Sequence, residues 1–186
     1  MSSSTKNKPS GREEARRLSK IIRDIVIFAM LGTVMFCSKV IMEALPNIHL
    51  LGMLTIAYTV VFRVKALIPI YIYVFLNGVY AGFDVWWIPY LYIWTVLWAL
   101  AMLIPKKIPR WLALIVYPLL CALHGLFFGA LYAPAQAILY KFTFEQTMAW
   151  IAAGLPFDII QCVGNIFVGL LILPFSELLS KLYHKR

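Results

Sequence analysis

Asp158, Gln161 and Asn165 are spaced so that, on an α-helix, a carboxylate and two carboxamides share one face. The other faces of that helix are Ile, Val, Phe and Leu. The stripe offers hydrogen bonding and one negative charge. Pro156 precedes it and suits the first position of a helix, where a missing N–H costs nothing. Asp158 then falls in the first turn. Two readings follow. In one, Asp158 offsets the helix dipole and the amides bond a neighbouring helix. In the other, the stripe faces a ligand, because polar groups at membrane depth need a partner.

The depth of the stripe follows from composition. The chain has 186 residues, 62% hydrophobic and 13% charged. A soluble domain is about 45–50% apolar and about 25% charged. The expectation is an all-α integral membrane protein, one compact bundle at multi-pass depth in a cell membrane. The sequence has no G-x-x-x-x-G-K-[ST] loop, so no ATPase is expected in this chain. Its histidines, His49, His124 and His184, are scattered. With no nucleophile elbow or close carboxylate pair, the reading is not an enzyme, without a bound metal. Cys37, Cys121 and Cys162 sit far apart in apolar runs and read as small buried hydrophobes.

Residues 1–20 form a basic tail and residues 21–186 the membrane domain. Residues 1–10 read as disordered and 11–23 as a helical lead-in on the inner membrane surface. Six apolar runs follow, at about 25–45, 49–62, 66–82, 87–104, 111–134 and 156–179. The expectation is a six-transmembrane-helix bundle, with a short surface helix in the connector 135–153. An inner N-terminus and six crossings place both termini in the cytoplasm. The inner segments then hold 15 of the 17 lysines and arginines, including Lys6, Lys8, Arg63, Lys65, Lys106, Arg110, Lys181 and Arg186. That asymmetry is the positive-inside pattern. The net charge of +9 therefore serves topology and membrane lipid, and no nucleic-acid partner is expected.

With that orientation, intramembrane polarity gathers in the outer half. Lys39 and Glu43 lie there on the first helix, with Asn47 and His49 at the first outer turn. Asn77, Tyr80 and Asp84 end the third helix, and Trp86, Trp87, Tyr90 and Tyr92 open the fourth. His124, Tyr132, Asp158, Gln161 and Asn165 follow. Rings with a few fixed polar groups are the usual lining of a small-molecule pocket. The candidate binding residues are Asp158, Gln161, Asn165, His124, Trp86, Trp87, Tyr90, Asn77, Tyr80 and Lys39. Competing readings are an interfacial belt for Trp86 and Trp87, a self-compensating Lys39–Glu43 pair and a hydrogen-bonded core histidine for His124. Trp94 and Trp98 read as packing against helices or lipid. Ala29, Gly32 and Thr33 form a small-residue surface on the first helix, for internal packing or for docking a partner.

Over residues 25–180 the chain resembles the substrate-binding S component of an energy-coupling factor (ECF) vitamin transporter. The family's Ala-x-x-x-Ala docking motif is matched by Ala29-Met-Leu-Gly-Thr33, with Thr in place of the second Ala. Leu45-Pro46-Asn47-Ile48, Trp86-Trp87-Ile88-Pro89-Tyr90-Leu91-Tyr92 and Gly154-Leu155-Pro156-Phe157-Asp158 resemble one bacterial branch, associated with cobalamin uptake. The resemblance implies a bacterial plasma-membrane subunit that captures a vitamin, with cobalamin (vitamin B12) the first expectation. It implies a transmembrane scaffold (T component) and two cytoplasmic ATPase partners, which use ATP and Mg²⁺, and a toppling motion of this chain in the membrane. Alternatives are a smaller vitamin (pantothenate, a pyridoxine-like compound, folate or riboflavin) and a membrane assembly protein whose stripe is helix glue. A secondary transporter finds no inverted repeat in the two halves.

Overall fold

The computed structural model describes residues 11–45 and 47–185. The disorder expected of residues 1–10, Pro46 of the first outer turn, and Lys6, Lys8 and Arg186 of the basic set lie outside the described residues. Eight α-helices are present among the described residues, with no strand. They are α1 (Gly11–Ile41), α2 (Leu51–Phe62), α3 (Leu67–Ala81), α4 (Tyr90–Leu103), α5 (Arg110–Leu126), α6 (Phe128–Tyr140), α7 (Phe144–Gly169) and α8 (Ile172–His184).

Among the described residues five helical stretches are long and apolar enough to cross a membrane, where six were expected: Gly11–Ala44, Leu51–Ala81, Val85–Leu103, Arg110–Tyr140 and Phe144–Gly169. The difference lies in α2 and α3. With 12 and 15 residues, each is shorter than the ~17–25 residues of a crossing, so they qualify only as one stretch. The chain nonetheless reverses between them. Arg63 adopts φ 54° and ψ −119°, which ends α2. Phe62 then packs on Phe28 of α1, and Lys65 reaches Asp24. At its other end α3 lays Tyr80 against Phe36 of α1. Thus α1 and α3 run parallel, with α2 antiparallel beside them. Gly32 permits that closeness, since a Cβ there would meet Ile72 at 2.6 Å.

The basic lead-in is helical and continuous with α1, one helix of 31 residues. The expected surface helix in 135–153 is absent. Lys141, in the left-handed conformation at φ 56°, ends α6, and Thr143 starts α7. Thr143 and Gln146 form a reciprocal capping box, which satisfies two end groups of the new helix. Pro156 therefore lies inside α7, a dozen residues from its start, and does not open a helix.

The core centres on α2, which is buried all round except at Val60 and Val61. A helix apolar on every face belongs inside a bundle. Met30, Phe75, Phe157 and Phe167 are among the large apolar side chains that face outward. Burying helices with such an apolar exterior is the architecture of an integral membrane protein. The two ends of the bundle differ. One gathers charge: Lys65 and Tyr183 meet on Asp24, Arg63 donates to the Met102 and Ile104 carbonyls, and Arg110 pairs with Glu177. The other gathers rings.

Candidate functional site

Trp94 of α4 is 1% exposed and sits at the centre of the ring-rich half. Tyr73, His49, Tyr90, His124 and Phe128 surround it, with ring centroids 5.6–6.1 Å away. Five segments supply these rings: α3, the connector before α2, α4, α5 and α6. From Tyr90 the cluster continues through Tyr132 to Trp150, which stacks on Tyr132. Trp86 meets Tyr90 edge-on, and the Tyr132 hydroxyl donates to the Trp86 carbonyl.

Polar atoms inside this aromatic mass lack protein partners among the described residues. They are His49 Nδ1, His124 Nδ1, Trp94 Nε1 and the Tyr73 hydroxyl. Asn77, one turn along α3 from Tyr73 and 1% exposed, has both its amide oxygen and nitrogen without one. Thr55 of α2 adds a hydroxyl in the same condition. The few polar contacts that do form use the opposite ring atoms: His124 Nε2 lies 3.2 Å from the Ile93 carbonyl, and His49 Nε2 lies 3.5 Å from Gln161 Nε2. Each buried polar group left alone costs roughly 1–3 kcal/mol, and native interiors hold few. The Trp94 cluster thus holds an unusual concentration of unpaired buried polar atoms.

His49 lies in the connector before α2, outside the spanning stretches. Burial pushes its imidazole down to about 4 from 6.5, with a further push from the Lys39 ammonium. At neutral pH it presents an uncharged ring. The centre therefore combines neutral donors and acceptors with aromatic faces.

The stripe on α7 borders this centre, and its members divide. All three are buried, Gln161 and Asn165 against Gly125 of α5 and Asp158 against Gly129 of α6. Both oxygens of Asp158 accept from the Gly129 N–H, and Asn165 donates to the Cys121 carbonyl at 2.9 Å. These two hold α5, α6 and α7 together. Gln161 alone turns toward His49 and the rings. Of the other expected binding residues, His124 and Tyr90 belong to the centre, and Asn77 lies one turn along α3 from its Tyr73. Trp87 donates to the Val74 carbonyl and packs on Phe83. Lys39 and Tyr80 stand apart on the α1–α3 side, where Lys39 pairs with Glu43 at 2.9 Å and lies over the Tyr80 ring.

On α1, Ala29 and Thr33 are exposed while Gly32 is buried against α3. The Thr33 hydroxyl donates to the Ala29 carbonyl. Cys121 is buried as expected, but Cys37 is exposed, because it lies on the outward face of α1. Among the described residues no group of histidine, cysteine and carboxylate side chains could hold a metal ion.

Sequence reasoning missed Trp94 as the hub, together with Tyr73. The four-residue spacing of Tyr90 and Trp94 was a usable signal, since it puts both rings on one face of α4. Tyr73 had no such mark in an apolar run. No protein-family model, curated protein or solved structure matches the chain. The fold and site thus define a class, a polytopic all-α membrane protein with a buried aromatic–polar centre, and the functional reading rests on that centre.

Proposed function

We propose that this chain is the substrate-binding S component of an ECF-type vitamin importer in a bacterial cell membrane. The observation that carries the reading is the Trp94 centre: five rings around a sixth, with His49, His124 and Tyr73, and Asn77 one turn beyond, offering hydrogen-bonding atoms that no described residue uses. Capture of a ring compound is what such a centre does well. The sequence resemblance supplies the transport setting, with a T-component scaffold and two ATPases as partners and ATP and Mg²⁺ confined to those partners. The exposed Ala29 and Thr33 surface supports a docking role for α1 in that setting.

Cobalamin is the vitamin suggested by the resemblance. The ring packing favours a smaller one, such as pantothenate, a pyridoxine-like compound, folate or riboflavin. Trp86, Tyr90, Tyr132 and Trp150 touch in series, which leaves a compact, ring-filled region. A second reading, a membrane assembly protein, draws on Asp158 and Asn165, whose hydrogen bonds join helices.

Calorimetry on the purified chain in detergent decides among these. Cobalamin, pantothenate, pyridoxine, folate and riboflavin are titrated in turn. The expected result is binding of one compound at ~1 µM or tighter, weakened in Trp94→Phe and His124→Gln. If all five fail against a folded chain, the importer reading falls and the assembly reading stands. Binding that survives both substitutions unchanged would remove the Trp94 centre as the site.

A further inference from the structure

The charged end of the bundle carries a second feature, independent of the Trp94 centre. Arg16, Ser19, Lys20 and Arg23 occupy one face of α1 and, with Tyr183 and His184 of α8, line a cleft of about 480 Å³. A neighbouring cleft shares Arg23 and Tyr183 and adds Ile27, Leu182 and Lys185. No carboxylate lines either cleft among the described residues. Asp24, next to Arg23 in the chain, is already engaged by Lys65, Tyr183 and Arg23. The Arg23 guanidinium lies 5.0 Å from the Tyr183 ring, and its Nε is buried with no protein partner among the described residues.

The position of this feature along α1 identifies its occupant. Above Arg23 the face is Arg16, Ser19 and Lys20; below it comes Ile27, within the apolar run that begins at Ile25. The clefts therefore cross from polar to apolar at one level of the helix, as phospholipids do at a membrane surface. Guanidinium and ammonium groups at the polar side match a phosphodiester anion. Ile27 and Leu182 at the apolar side match an acyl chain. Basic clefts between helices at a membrane surface are a recurrent form of lipid-headgroup site. We propose that the α1–α8 cleft is a binding site for an anionic phospholipid, with Arg16, Lys20 and Arg23 on its phosphodiester.

Native mass spectrometry of the full chain, purified with equal phosphatidylglycerol and phosphatidylcholine, tests this. One retained phosphatidylglycerol per chain is expected, in preference to phosphatidylcholine. The Arg16→Gln/Lys20→Gln double variant should lose about thirtyfold in retention, roughly fivefold per basic residue. Neither residue bonds Asp24, so the network beneath stays intact. A Lys106→Gln/Lys107→Gln control, in the α4–α5 connector, should retain lipid as the parent does. Equal retention of both lipids, an unchanged Arg16/Lys20 variant, or an equal loss in the control overturns the site. Millimolar glycerol 3-phosphate or inorganic phosphate should not displace the lipid. Displacement would make a free phosphate the occupant and overturn the lipid assignment.

Discussion

The two carboxylate oxygens of Asp158 each lie 3.1 Å from the backbone nitrogen of Gly129. Gly129 stands just past Phe127, where α5 gives way to α6, and the first N–H groups of a helix have no partner within it. A carboxylate from α7 supplies the acceptor, with the added favour of a negative charge at a helix N-terminus. A Cβ at 129 would meet the Asp158 Oδ2 at 2.5 Å, so a larger residue would have to push the carboxylate off the N–H. The break in the α5–α6 span and the most polar residue of α7 are thus one construction.

That construction predicts a stability role for Asp158. Asp158→Ala leaves the Gly129 N–H buried without an acceptor and should cost ~1–3 kcal/mol. Asp158→Asn keeps an acceptor oxygen and should cost less. Thermal unfolding in detergent reads both. An alanine variant that keeps its midpoint but no longer binds ligand would reassign Asp158 to the ligand.

Two glycines of α7 should respond oppositely to alanine. Gly154 has nothing within 4 Å of a built Cβ, so Gly154→Ala should stabilise the helix by up to ~1 kcal/mol. At Gly169 the same Cβ would lie 2.7 Å from the Pro118 Cα. Backbone cannot step aside as a side chain can, and Gly169→Ala should cost ~1–3 kcal/mol. Similar melting midpoints for the two variants would contradict the α5–α7 packing.

Arg63 makes a different comparison. Its φ of 54° strains any residue with a Cβ, yet its guanidinium holds the Met102 and Ile104 carbonyls at the end of α4. Arg63→Ala and Arg63→Gly both lose those bonds, but glycine also removes the strain. The glycine variant should therefore be the more stable by ~1 kcal/mol. Alanine equal to glycine in an equilibrium unfolding series would show that the reversal between α2 and α3 does not depend on this conformation.

Much of this architecture was legible because its signals are local or cumulative. The basic residues gather at one end, as seen at Arg63, Lys65, Arg110 and Lys181. The apolar runs are helices, and the three-and-four spacing of Asp158, Gln161 and Asn165 does put them on one buried face. The Thr143–Gln146 capping box was also readable as Thr-x-x-Gln, and it would have placed the start of α7 twelve residues before Pro156. What the stripe touches was not legible. A carboxylate that caps Gly129 and one that waits for a ligand have the same sequence, and only the distance between α6 and α7 separates them. Trp94 became a hub for the same reason: apart from Tyr90 on its own helix, its ring neighbours come from four other segments that periodicity cannot bring together.

His49 offers the last prediction, in pH. The folded chain holds its imidazole down to about 4, chiefly through burial, against 6.5 for a free histidine. A depressed base favours the neutral form, so the unfolded chain binds a proton that the folded chain refuses. The stability contributed by neutral His49 is fully present above pH 6.5 and is lost as pH falls from 6.5 toward 4. His49→Gln keeps a polar group beside Gln161 but cannot titrate. The melting midpoint of the parent should therefore fall faster than that of His49→Gln between pH 6.5 and 4, while the two should run parallel above it. The difference between the two chains isolates His49 from every other group that titrates in that range. Parallel curves throughout would show that protonated His49 finds a partner at the edge of the Trp94 centre, and would place it in water rather than against the rings.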